Sequence, residues 1–124
     1  MSYKVLIVDD SATMRKIIMR SLRQAGIDVG TTVEAGDGAE GLAALKGGGF
    51  DLVLSDVNMP NMNGLDFCKA AKAEVKPLPP IVMITTEGSE DIIAQAMNEG
   101  AQGYVKKPFT PEKLGESLNA VLKK

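Results

Sequence analysis

Two adjacent acids, Asp9-Asp10, follow the apolar run Val5-Leu6-Ile7-Val8, and a third, Asp56, follows Leu52-Val53-Leu54-Ser55. A hydroxyl pair, Thr85-Thr86, follows Ile81-Val82-Met83-Ile84, and the cation Lys107, with Pro108, follows Gly103-Tyr104-Val105-Lys106. Runs of this kind read as β-strands, and in an open parallel α/β sheet ligands bind beyond the carboxyl ends of the strands. Residues scattered along the chain are thereby expected in one crevice: three carboxylates, a hydroxyl and an amine. Two carboxylates ~4 Å apart at an effective dielectric near 20 repel by about 4 kcal/mol. Either one retains a proton or a cation neutralises the cluster. Crowded carboxylates suit a hard divalent cation, whereas Thr and Lys suit an anion such as a phosphoryl group.

The elements that must position these groups alternate along the chain, as βα units do. Strands are expected at about 4–8, 29–34, 51–55, 80–84 and 102–106. The first, third and fourth are apolar throughout, as strands covered on both faces should be. The second contains Thr31-Thr32-Val33-Glu34 and belongs at an edge. The first helix starts after Ser11, a good N-cap, buries Met14, Ile17, Ile18, Leu22 and Ala25, and stops at Gly26. The second covers about 38–46 and ends in Gly47-Gly48-Gly49, and the third covers about 64–73. The fourth carries Ile92, Ile93, Ala96 and Met97 before Gly100. The fifth opens on Thr110-Pro111, a cap with proline at the first helical position, and buries Leu114, Leu118, Val121 and Leu122. Gly64 is available for an unusual backbone angle at the end of the Met59–Asn63 loop, whose methionines read as loop packing.

Composition narrows the chemistry. The 124 residues suffice for one domain, 1–124, with no second or output domain expected. Fourteen basic against sixteen acidic residues leave a net charge of -2, which gives no electrostatic case for nucleic acid. Lys106, Lys107, Lys113, Lys123 and Lys124 read as a solvated face. Cys68 is the sole cysteine, so neither an internal disulfide nor a thiolate metal cage is possible. No apolar run is long enough for a signal peptide or a membrane span, and the cytoplasm is the expected location. The chain has no histidine, which excludes a Ser-His-Asp triad, a His-ligated zinc and a phosphohistidine of its own. A phosphoryl group reaching this chain must come from another molecule.

Val8-Asp9-Asp10, Ser55-Asp56-Val57-Asn58-Met59-Pro60-Asn61-Met62-Asn63-Gly64, Ile84-Thr85-Thr86-Glu87 and Tyr104-Val105-Lys106-Lys107-Pro108-Phe109 together resemble the motifs of bacterial response-regulator receiver domains. The four occur in the family's order and span the chain. The likeness is to single-domain chemotaxis regulators of the CheY type. It implies a flavodoxin-like (βα)5 fold, a doubly wound parallel sheet of strand order 2-1-3-4-5. It also implies that Asp56 accepts a phosphoryl group from a histidine kinase. Mg2+ would be held by Asp10, Asp56 and the Asn58 carbonyl, with Asp9 acting through water. Lys107 and Thr85 would bind the phosphoryl oxygens, with a cis Lys107–Pro108 bond. Tyr104 would move inward with Thr85, although a half-buried strand tyrosine is the plain alternative. Asn58, Thr86 and Glu87 would control water access and hence phosphoryl lifetime.

The resemblance implies a monomeric signalling switch whose only reactions are Mg-dependent self-phosphorylation and self-dephosphorylation. Its expected partners are the kinase, a flagellar motor switch protein or another protein target, and a phosphatase. Ile93, Met97, Tyr104 and Lys106 are expected on the output face, with core packing an equal alternative for Met97. Chemotaxis members tend to carry lysine where this chain has Glu90, which keeps open a second role as a phosphate sink or phosphorelay intermediate. A flavodoxin is disfavoured because Asp9-Asp10 stand where a phosphate loop would be. A haloacid-dehalogenase phosphatase would want Asp-x-Asp, not Asp9-Asp10-Ser11.

Overall fold

Alternation along the strands decides which layer each side chain joins. On β1 (Tyr3–Val8), Leu6 and Val8 face one apolar cluster while Val5 and Ile7 face another. Leu52 and Leu54 of β3 (Leu52–Ser55) join Val5 and Ile7, and Val53 joins Leu6. On β4 (Ile81–Thr85) the split is Ile81 and Met83 against Val82 and Ile84. With β2 (Val29–Ala35) and β5 (Gly103–Lys106) these strands form one parallel sheet of order β2-β1-β3-β4-β5. The computed structural model describes residues 3–57, 59, 61–76, 78–85, 90–107 and 109–122.

Five helices close the two faces: α1 (Ala12–Gln24), α2 (Gly38–Lys46), α3 (Gly64–Glu74), α4 (Glu90–Asn98) and α5 (Pro111–Leu122). Ile18 and Leu22 of α1 and Leu114 and Leu118 of α5 cover the face presented by Val5 and Ile7. Leu42 and Leu45 of α2, Phe67 and Cys68 of α3 and Ala96 of α4 cover the other. Full burial of a side chain such as Leu22 or Phe67 stabilises by about 1.5–3 kcal/mol. The polar β2 is an edge strand, as its residues imply. The flavodoxin-like doubly wound architecture and the 2-1-3-4-5 order are those expected from the sequence.

Local differences from the sequence reading have physical causes. Ile17 is 44 % exposed, not buried. Successive helical residues are rotated by about 100°, and the stripe through Ile18 and Leu22 turns Ile17 away from the sheet. Of the two alternatives for Met97, the solvent-facing one holds: it is 44 % exposed, while Ala96 is buried. Among the described residues of the β3–α3 loop the left-handed one is Asn61, at φ 64°, and not Gly64. Gly64 is needed for close approach: its amide donates to the Val57 carbonyl, and a Cβ there would lie 2.1 Å from the Asp56 carbonyl oxygen. Cys68 packs with its sulfur 3.6 Å from that of Met83, and burial pushes its thiol up to about 12.

Asp37 ties the loop to α2. Its carboxylate caps the helix by accepting from the Glu40 amide at 2.8 Å and also accepts from the Asn61 side chain at 2.8 Å. The Glu40 amide first, then Asn61, hold the Asp37 carboxyl below its ordinary 3.8, against the opposing effect of burial. Between the folded value and 3.8 the unfolded chain binds more protons, so this contribution is full above 3.8 and fades as pH falls through the folded value. Asp37→Asn keeps a capping oxygen for the Glu40 amide but removes the charge and the second oxygen, which accepts from Asn61. Urea unfolding of both proteins across pH should show wild type more stable above 3.8 and the difference closing below it. A pH-independent difference would show that the charge does not matter.

Candidate functional site

The position of β1 between β2 and β3 brings the acids together. The Asp9 amide donates to the Ala35 carbonyl at 3.0 Å, and the Asp56 amide to the Val8 carbonyl at 2.9 Å. Hydrogen-bonded pairing thus continues one residue past β1 on one side and past β3 on the other. Asp9 and Asp56 emerge side by side, with Asp10 next along the chain. One carboxylate oxygen from each of Asp9, Asp10 and Asp56 lies within 4.8 Å of the others.

Each acid has a different setting. Asp9 is 1 % exposed; its Oδ1 accepts from the Ser11 amide at 2.9 Å and its Oδ2 from Lys107 Nζ at 3.2 Å. Asp56 is partly buried, its Oδ1 accepts from the Val57 amide at 2.8 Å, and its Oδ2 lies 3.6 Å from Lys107 Nζ. Asp10 is exposed. Ser11 both caps α1, accepting from the Met14 amide at 3.1 Å, and turns its own amide to Asp9.

Lys107 follows β5, and its amide donates to the Thr85 carbonyl at 2.8 Å. The β4–β5 pairing therefore delivers the ammonium to the acids. Thr85, the last residue of β4, is buried at 1 % exposure. The structure thus brings Asp9, Asp10, Asp56 and Lys107 into direct proximity, with Thr85 at the neighbouring strand end. Asn58, Thr86, Glu87 and Pro108 lie outside the described residues, and with them the lifetime positions and the Lys107–Pro108 bond.

Three carboxyl groups gather here, and the one ammonium of Lys107 contacts two of them, Asp9 and Asp56. All three acids offer hard oxygen donors, and at least one is open to solvent. This donor set fits Mg2+, which takes one or two carboxylates and keeps several waters.

Of the residues expected on the output face, Tyr104 is 44 % exposed and Lys106 also faces solvent, while Ile93 is half-buried on α4. Tyr104 stands outward in this structure. A shallow groove runs along β5 and α5, lined by Tyr104, Lys106, Lys107, Lys113 and Ser117. One contact was missed from sequence: Arg15 on α1 donates to the Asp9 carbonyl and to Glu34. Its signal was present, since Arg15 shares the inward stripe of Ile18 and Leu22, where a charge is out of place. No helix among the described residues is long and apolar enough to cross a membrane.

Comparison with known proteins agrees with this architecture. The family model described as the response regulator receiver domain matches residues 5–119. The chain is 42% identical over 123 residues to the chemotaxis protein CheY of Pseudomonas aeruginosa, covering 98% of this chain and 97% of that protein. A solved structure of the Vibrio cholerae chemotaxis response regulator CheY4 superposes with a TM-score of 0.85 at 40% identity, covering 98% of this chain and 100% of that one. CheY in the CheX-CheY-BeF3-Mg complex from Borrelia burgdorferi gives 0.88 at 27% identity, with coverages of 98% and 90%. Sheet order, helical layers and the match from Val5 to Asn119 point to one conclusion: the chain belongs to the response regulator receiver domain family, and within it is CheY-like.

Proposed function

We propose that this response regulator is phosphorylated on Asp56 by a histidine kinase and acts as a diffusible, phosphorylation-dependent protein-binding switch in chemotaxis. The observation that carries this reading is the convergence of Asp9, Asp10, Asp56 and Lys107 on one point at the carboxyl edge of the sheet. The near-complete coverage of the chemotaxis relatives supports it. So does the relative solved with BeF3, Mg and CheX, in which the same fold engages a second protein.

The Val57 amide fixes the plane of the Asp56 carboxylate and leaves Oδ2 facing Lys107. Attack by an Asp56 oxygen forms an O–P bond as the P–N bond to the donor's histidine breaks, and the electron pair returns to the imidazole. Little covalent assistance is needed; alignment and charge neutralisation dominate such transfers. Lys107 receives an oxygen of the incoming group and exchanges part of its contact with Asp56 for it. Thr85, at the next strand end, supplies a hydroxyl to a second oxygen. Asp10, Asp56 and the Asn58 carbonyl, with Asp9 acting through water, would hold Mg2+, which would neutralise the remaining phosphoryl charge. Hydrolysis by water returns phosphate and the free carboxylate, with Asn58, Thr86 and Glu87 governing access.

Charge-assisted hydrogen bonds contribute about 1.5–3 kcal/mol each. Two of them, from Lys107 and Thr85, approach the ~5.5 kcal/mol that turns a 1:99 population into 99:1. The output then lies with Ile93, Met97, Tyr104 and Lys106, where exposed apolar and aromatic groups beside lysines suit a protein target such as the flagellar motor switch. We place the protein in the cytoplasm as a monomer, with a phosphatase as a further partner.

Thr85→Ala separates chemistry from switching. The variant should still accept phosphoryl, because Lys107 and the acids remain, but should lose most of the amide shift changes along Gly103–Lys106 when treated with beryllofluoride and Mg2+. Shift changes equal to wild type at Tyr104 would remove Thr85 from the switch. Titrating a motor-switch peptide into the beryllofluoride-treated protein tests the output. Absence of binding, together with rapid phosphoryl drain from the kinase, would favour a phosphate sink.

A further inference from the structure

The first turn of α1 carries a cation where the helix faces the sheet. Arg15 lies on the stripe of Ile18 and Leu22, and its side chain is only 17% exposed. Apolar packing gives no reason for a guanidinium there; its hydrogen bonds do. Nη1 donates to the Asp9 carbonyl, and Nε donates to Glu34 Oε1 at 2.8 Å. Glu34 is the register partner of Ile7, whose side chain packs with Ile18 and Leu22. Register neighbours share a face of the sheet, so β2 aims Glu34 at α1. The backbone of Arg15 is fixed as well, its amide donating to the Ser11 carbonyl at 3.0 Å.

The Asp9 carbonyl belongs to the peptide that joins Asp9 to Asp10. The Asp9 side chain has its own anchors, the Ser11 amide and Lys107. Asp10 is exposed, so the plane of the preceding peptide governs where its carboxylate points. We propose that Arg15, braced by Glu34, is a positioning residue for the acidic cluster: it holds the Asp9–Asp10 peptide and so sets the angle at which Asp10 meets a divalent cation. The inference rests on reading Asp9, Asp10 and Asp56 as a cation site. A planar guanidinium suits the task because its fork reaches carbonyl and carboxylate together, which an ammonium on a flexible stem cannot do as well.

The sign of the effect distinguishes positioning from plain electrostatics. A nearby positive charge alone opposes cation binding, so its removal would tighten Mg2+. Loss of a positioning group weakens it, and outer-sphere partners of metal ligands typically contribute about 10–100-fold in affinity. Mg2+ titrations followed by amide NMR should be run on wild type, Asp10→Asn, Arg15→Ala, Arg15→Lys and Glu34→Ala, with melting curves in EDTA for each. Arg15→Ala should bind Mg2+ about tenfold more weakly. Arg15→Lys should recover only part of that loss, and Glu34→Ala should weaken binding by a smaller factor. Wild-type or tighter affinity in Arg15→Ala, with Asp10→Asn weakened, would overturn the role of Arg15 alone. Wild-type affinity in Asp10→Asn would overturn the cation-site reading and this inference with it. If Arg15→Ala does not fold, Arg15→Lys and Glu34→Ala decide: unchanged affinity in both rejects the proposal.

Discussion

Asp56→Asn is expected to abolish phosphoryl uptake from acetyl phosphate or a kinase while leaving the fold intact and, without Mg2+, more stable than wild type. Asparagine presents a carbonyl oxygen that still accepts from the Val57 amide, so the local bond at 2.8 Å survives. The amide cannot form the acyl phosphate. The charge consequence runs the other way. Asp56 and Asp9 are 12% and 2% exposed at the side chain and have oxygens within 4.8 Å of one another, so removing one relieves repulsion. At that separation and an effective dielectric near 20 the pair repels by roughly 3 kcal/mol, part of which Lys107 already offsets. A net gain of about 1 kcal/mol in EDTA follows, read by urea unfolding, and it should shrink when Mg2+ is added to wild type. Stability equal to or below wild type in EDTA would show that the carboxylates are not in conflict.

Lys107→Ala should act in the opposite direction on stability. The ammonium lies 3.2 Å from Asp9 and 3.6 Å from Asp56. Truncation leaves Asp9 buried with its charge uncompensated, and breaking such a pair costs about 3 kcal/mol or more. Against a stability of about 5–15 kcal/mol for a domain, that loss is large. Divalent cation can replace the ammonium, so Mg2+ should restore more stability to the variant than to wild type. Phosphoryl transfer should slow by roughly 100-fold, the scale for losing one group aimed at developing charge. Denaturation in EDTA and in Mg2+, with stopped-time phosphorylation, checks both parts. A variant as stable as wild type in EDTA would contradict the electrostatic account.

Much of this was legible because strands announce themselves. Four-residue, largely apolar runs fixed where Asp9, Asp56 and Thr85 had to emerge, the mixed run Gly103-Tyr104-Val105-Lys106 did so for Lys107, and polar Thr31-Thr32 fixed β2 as an edge. What the runs could not supply was lateral order, which came from motif likeness. Helix faces were less legible than strand ends. Ile17 is apolar and sits beside the true core position Ile18, but one residue of helical rotation turns it to solvent. Loop conformation was harder still. Gly64 looked like the residue for a left-handed angle, yet Asn61 adopts it because its side chain bonds Asp37 from the distant start of α2. Arg15 was passed over although its place on the inward stripe was visible, because one of its partners, Glu34, is brought to it only by the β1–β2 pairing.

The most direct test of the central claim is to locate the phosphoryl group itself. Treat the protein with acetyl phosphate in Mg2+ and in EDTA, reduce the acyl phosphate with borohydride, and sequence the peptides by mass spectrometry. The account predicts one modified residue in the presence of Mg2+, homoserine in place of Asp56 within the fragment 47–69, and none in EDTA. Modification at Asp9, Asp10, Asp51 or Asp66 instead of Asp56, or modification that survives chelation, would contradict it.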